Sequence, residues 1–83
     1  MEIKWNSLKN ERLKKTRGIS FEEILKAKQI DVKKHSKLAH QNLFLFWHKN
    51  YVWVVPYVEY EHGIFLKTIY QCRKYTKIYK KGG

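Results

Sequence analysis

The chain has 83 residues, 43% of them hydrophobic and 16% aromatic, and 18 Lys and Arg against 7 Asp and Glu give a formal charge of +11. That apolar share excludes a charge-driven disordered chain, and the length predicts one domain over residues 1–83, too small for a deep private cleft. The charge excess makes a positive field that draws polyanions, nucleic acid first, unless the lysines only solubilise the surface.

Cys72 is the only cysteine, so an internal disulfide is impossible and a cytoplasmic setting is expected. No stretch approaches the roughly 20 apolar residues that span a bilayer, and the opening, with Glu2, Lys4 and Lys9, lacks a signal-peptide core. No membrane partner is expected.

Glu2–Trp5 predicts a short strand. Asn6 then offers a side-chain cap for a helix through Thr16, with Trp5, Leu8 and Leu13 as apolar anchors, and Gly18 ends it by taking positive φ. Ser20-Phe21-Glu22-Glu23 has the capping-box pattern, in which the Ser20 hydroxyl and the Glu23 carboxylate each reach a free backbone N–H. Phe21, Ile24 and Leu25 follow at helical spacing and predict a second short helix to Lys28. Between Gln29 and Gln41 the pattern dissolves into Asp31, Lys33, Lys34, His35, Ser36, Lys37 and His40, with Ile30, Val32, Leu38 and Ala39 as the apolar residues. A basic loop with at most a brief extended piece is predicted, of a composition suited to touching a ligand.

From Asn42 onward β-branched and aromatic residues predict three strands, Asn42–Trp47, Tyr51–Tyr60 and Ile64–Cys72, turning at His48-Lys49-Asn50 and Glu61-His62-Gly63. Connections this short dictate an antiparallel meander. Pro56 cannot donate to a ladder, so its strand carries a bulge there or leaves that position unpaired. Arg73 to Lys81 is basic and reads either as a terminal helical turn around Tyr75, Ile78 and Tyr79 or as a loose arm. The expected fold is α+β, with a short N-terminal strand and two helices packed on one face of an antiparallel meander sheet.

A three-residue hairpin loop at Glu61-His62-Gly63 pairs Tyr60 with Ile64 and puts Tyr51/Arg73, Trp53/Gln71, Val55/Ile69, Tyr57/Lys67 and Glu59/Phe65 on one sheet face. The other face then collects Val52/Cys72, Val54/Tyr70, Pro56/Thr68 and Val58/Leu66, almost wholly apolar, and is expected to pack on the helices. Polar function is predicted on the first face, with Phe44, Phe46 and Trp47 in the core.

The element order and several local motifs resemble the BrnT family of bacterial type II toxins, within the wider RelE-like group of small ribonucleases. Ile3-Lys4-Trp5-Asn6 with Lys9 and Asn10 is similar to the family's aromatic strand end and Asn-bearing helix, and Gly18-Ile19-Ser20-Phe21-Glu22-Glu23 to its Gly-Val-Ser-Phe-Glu-Glu block. Leu66-Lys67-Thr68-Ile69 followed by Cys72-Arg73-Lys74 resembles its last strand and Ala-Arg-Lys segment, with Thr68 where many members carry Arg. The resemblance implies a RelE-like fold and cofactor-independent, metal-independent cleavage of RNA, with mRNA, free or on the ribosome, as substrate and arrested translation as the outcome. It also implies an antitoxin encoded next door that neutralises the protein, and contact with DNA only through that complex.

Metal-free RNA cleavage needs a base for the 2′-OH proton, an acid for the leaving 5′-oxygen and cations for the charge growing on phosphorus. Lys67 and Arg73 are the first candidates for holding phosphate, unless they are simply solvated strand residues; Lys74 beside them, with Lys33 and Lys34, suits backbone phosphate. For proton transfer the candidates are His40, His35 and Glu59, with His40 preferred, although an ordinary loop histidine and a lysine-paired glutamate fit the same residues. Tyr51, Trp53 and Tyr57 suit stacking on splayed bases if they are not packing residues. His35 and His40 are five apart with no paired cysteines, so no metal site is expected. Two other classes compete with the nuclease: a non-catalytic nucleic-acid-binding module using the same basic surface, and a module that only docks another protein.

Overall fold

A computed structural model of the chain describes residues 1–35, 37, 38 and 40–82, with side chains as far as Lys80. The elements are β1 (Glu2–Trp5), α1 (Ser7–Arg17), α2 (Phe21–Leu25), β2 (Lys28–Lys34), β3 (Gln41–His48), β4 (Tyr51–Tyr60), β5 (Gly63–Leu66), β6 (Tyr70–Gln71) and α3 (Arg73–Gly82). The class is α+β, as expected. The strand order is β1-β5-β4-β3-β2, with β6 also on β4, and the sheet is mixed because β1 runs parallel to β5.

Side-chain caps set the helix starts. The Asn6 carboxamide accepts from the Lys9 N–H at 2.9 Å, and Gly18, at φ 65°, ends α1 in the left-handed region that glycine enters without strain. The Ser20 hydroxyl accepts from the Glu23 N–H at 3.0 Å, but the Glu23 carboxylate turns to His48 at 2.7 Å, so only half of the capping box forms. Between these helices Asn10 is buried; its Oδ1 accepts from the Phe21 N–H at 2.8 Å and its Nδ2 donates to Glu22 at 2.7 Å. One side chain thus fixes α2 against α1.

Several expectations need correction. The second helix stops at Leu25, and Lys28–Lys34 is an edge strand rather than a basic loop, bulged between Gln29 and Asp31. The bulge lets Ile30 pack into the core, while the lysines discourage edge-to-edge pairing. Ser36, Ala39 and Gly83, which belong to the expected loop and tail, lie outside the described residues. Leu8 is 75% exposed and anchors nothing; Trp5 stacks on Phe21 at 5.4 Å. The basic tail is a full helix.

The β4–β5 loop has two residues instead of three: Tyr60 pairs with Gly63 and Tyr57 with Leu66, one step off the expected register. Gly63 is required there because a Cβ would lie 1.9 Å from the Glu2 carbonyl of β1. Farther on, Trp53/Gln71 and Val54/Tyr70 pair as expected. The two registers are reconciled by one extra residue: Lys67-Thr68-Ile69 span what Val55-Pro56 span on β4. The bulge sits at Pro56, whose missing N–H leaves the ladder weakest there, and the predicted third strand consequently splits into β5 and β6. The Lys67 N–H still donates to the Pro56 carbonyl at 2.8 Å, and Arg17 donates to the Ile69 carbonyl.

The faces are also reversed. Trp53, Val55 and Tyr57 point into the main core with Leu13, Ile19, Phe21 and Ile24 of the helical layer. Val52 and Val54 join Leu43 and Leu45 in a second core, closed by Tyr75 and Tyr79 of α3. The sheet is therefore covered on both faces. Asn10→Ala strands the buried Phe21 N–H and is expected to cost about 1–3 kcal/mol, read as a lowered urea midpoint; an unchanged midpoint removes Asn10 from its linking role.

Candidate functional site

The covering helices leave one end of the sheet open. The register lines up Lys34, Asn42 and Tyr57 on adjacent strands there, and the next same-face residue on β4 is Glu59. These residues, with Val32, Lys33 and His40, line an open groove of about 570 Å³. A neighbouring hollow shares Tyr57 and Glu59 and continues past Phe44 and Ile64. Between them Phe44 and Tyr57 stack face to face, centroids 4.0 Å apart and 14° from parallel. The stack makes a rigid apolar floor.

The groove gathers His40, Glu59, Lys33, Lys34 and Tyr57, which sequence alone spread over a loop and a strand. His40 is exposed on the turn entering β3. The Glu59 carboxylate accepts from Asn42 Nδ2 at 3.4 Å rather than pairing with a lysine. Lys33 reaches Asp31 at 3.6 Å and lies 5.8 Å over the Tyr75 ring, tying the groove's edge to α3. Tyr57 is only 7% exposed, and burial pushes its hydroxyl pKa up.

Other expected site residues lie elsewhere. Trp53 is buried and donates its indole N–H to the His48 carbonyl at 3.0 Å, and Tyr51 packs half-buried on the same core, so neither ring is free to stack on a base. The helical layer covers the sheet face that carries both, so that face is core and not a polar surface. His35 spends its Nδ1 lone pair on the Lys37 and Leu38 N–H groups at 3.0 and 3.1 Å; protonation there would break both bonds, which suits a turn-holding histidine. Lys67 is pushed outward by the bulge, its Nζ 5.6 Å over the Phe65 ring, and does not line the groove. Arg73 and Lys74 open α3, whose inner face closes the second core, and do not share a strand with Tyr51. With no acidic residue in that first turn, both cations oppose the helix dipole.

Two pairings escaped sequence reading because each joins distant segments. Glu23 meets His48 Nε2 at 2.7 Å and Lys49 at 3.4 Å, which holds its carboxyl below the usual range. Tyr79 donates to Asp31; that bond, reinforced by the Val32 N–H on the same carboxylate, holds the Asp31 pKa down. The same bond, with burial, pushes Tyr79 up to about 12. Neither pair has a local signature, since 25 and 48 residues separate the partners. Among the described residues, no group of three or more His, Cys, Asp or Glu is placed to hold a metal ion.

Tyr79 makes α3 docking sensitive to alkali. Its folded-state pKa lies above the unfolded value near 10, so its contribution is complete below pH 10 and fades as pH rises toward 12. Between pH 10 and 12 the wild type is expected to lose more stability than Tyr79→Phe in urea titrations; parallel losses would place the alkaline effect elsewhere. Comparison of the chain with models of known families, with curated proteins and with solved structures returns no match.

Proposed function

We propose that the protein is a metal-independent endoribonuclease that cuts single-stranded RNA, mRNA above all, and so arrests translation. The observation that carries this is the groove in which His40 and Glu59 stand with Lys33 and Lys34. An exposed carboxylate accepts a proton at neutral pH more readily than it gives one, and imidazole exchanges protons near neutrality. Glu59 therefore takes the 2′-OH proton, the 2′-oxygen attacks phosphorus, and His40 in its cationic form protonates the departing 5′-oxygen. A 2′,3′-cyclic phosphate and a 5′-OH result. Lys34, on the same sheet face as Tyr57 and Glu59, stabilises the phosphorane charge, Lys33 holds phosphate at the groove's α3-side edge, and the Phe44–Tyr57 floor offers an apolar edge beside the scissile nucleotide.

The BrnT-type resemblance of Gly18–Glu23 and of the Cys72-Arg73-Lys74 segment supports a biological role as the toxin of a toxin–antitoxin pair acting in the cytoplasm. An adjacent-gene antitoxin then neutralises it, and DNA is reached only through that complex. Among the described residues no helix is long and apolar enough to cross a membrane. A second reading, a non-catalytic RNA-binding module, is favoured by the openness of the groove and by the cations of α3 that lie outside it.

Purified protein is expected to cut single-stranded RNA in EDTA and leave cyclic phosphate ends. His40→Ala should lower the rate by about 10²–10⁴ with RNA binding retained, and should relieve growth arrest on induced expression. Binding without any cleavage by the wild type overturns the nuclease and leaves the binding module; full activity in both His40→Ala and Glu59→Gln moves the chemistry out of the groove.

A further inference from the structure

α3 divides its residues sharply. Tyr75, Thr76 and Tyr79 face the sheet: Tyr75 and Tyr79 close the second core, and the buried Thr76 hydroxyl accepts from the Val52 N–H at 2.8 Å while donating to the Cys72 carbonyl at 2.7 Å. At 100° per residue, Arg73, Lys74 and Lys77 fall on the opposite side and Lys80 on its flank, and all four are exposed. From Arg73 to Lys80 this row runs about 10 Å at 1.5 Å per residue.

No acidic residue offsets it. Among the described residues, Glu2, Glu11, Glu23, Asp31 and Glu61 pair with Lys4, Lys14, His48 and Lys49, Lys33, and His62 respectively. Glu22 bonds to Asn10 and Glu59 to Asn42. All seven acids of the chain are thus engaged away from the outer face of α3. Asp31, which lies nearest, is held at the inner edge by Tyr79. Lys33 connects the two regions, since it lies over the Tyr75 ring of α3 and also lines the groove.

We infer that the outer face of α3 is a docking rail for the backbone phosphates of single-stranded RNA, carrying the strand past Lys33 into the His40–Glu59 groove. The inference goes beyond the nuclease proposal in assigning Lys77 and Lys80 to RNA, but it presupposes that RNA is the ligand. A lipid surface suits this face poorly, because a membrane-lying helix needs a broad free apolar side and α3 turns its own onto the sheet. A protein partner needs an apolar centre, and Ile78 is the only large hydrophobic residue exposed on α3 among those described. Four cations without an ion pair among the described residues are complementary to a chain of phosphates. Arg73 and Lys74 accordingly act here as phosphate-holding residues outside the reacting atoms.

The test measures binding of fluorescein-labelled oligouridine against KCl concentration for the wild type, for K77Q/K80Q and for K9Q/K15Q on α1, with circular dichroism to verify folding. Losing two phosphate contacts at ~0.7 each should flatten the log–log salt slope of K77Q/K80Q by about 1.4 and weaken binding several-fold. The equally charged K9Q/K15Q should match the wild type. If the two double variants behave alike, net charge alone attracts RNA and the rail is overturned, whatever the outcome for cleavage. A flattened slope in K77Q/K80Q without cleavage by the wild type upholds the rail and overturns only the nuclease. Absence of RNA binding by the wild type, or α3-dependent binding to phosphatidylserine vesicles instead, overturns the rail.

Discussion

The structure depends on β4 being buried from both sides. Six successive residues, Val52 to Tyr57, are buried, so neither face of this central strand can be left to water. A sheet with one apolar face is satisfied by one helical layer; a sheet whose middle strand is apolar on both faces needs two. The chain meets that requirement with α1 and α2 on one side and α3 on the other. The two layers differ in kind. The first is a broad core of aliphatic and aromatic side chains. The second is a single amphipathic helix held by two tyrosines, a threonine hydroxyl and a carboxylate.

Once both faces are covered, polar chemistry is left with the rims. The helices do not reach the end of the sheet where β2, β3 and β4 present Lys34, Asn42 and Glu59, and the groove forms there. The outward sides of α1 and α3 are uncovered as well. Basic residues line the groove and both helix surfaces, and Lys33 lies where the groove meets α3, over the Tyr75 ring. An 83-residue chain has no volume for a buried cleft, and a shallow basic rim suits an extended polymer ligand better than a small molecule.

The irregularities of the sheet decide which side chains reach that rim. The bulge opposite Pro56 turns Lys67 outward, and it leaves the Thr68 hydroxyl buried without a hydrogen-bond partner among the described residues. Arg17 takes the Ile69 carbonyl that the broken ladder would otherwise leave unpaired. At the opposite hairpin Lys49 and Asn50 both take positive φ, at 53° and 60°, in the tight turn that a right-twisted two-stranded ribbon prefers. That turn carries His48 and Lys49 to Glu23, so a helix start and a hairpin end are joined by one carboxylate.

What the sequence determined by itself is local. Asn6, Gly18 and Ser20 place the helix ends through single side chains or a backbone that only glycine adopts freely, and alternation with turn residues places β1, β3 and β4. The continuous run Val52–Tyr57 also held the signal of a doubly buried strand, because such strands read as unbroken apolar stretches instead of alternating ones. Only tertiary structure decided the rest. Which face meets which helix turns on one residue of hairpin length, and a single step in register exchanges every side chain between faces. The strand at Lys28–Lys34 exists because β3 offers it a partner, against its own charged composition. Likewise, the sharing of one groove by His40 and Glu59 and the hold of Tyr79 on Asp31 depend on contacts between distant segments, and short-range patterns carry no trace of them.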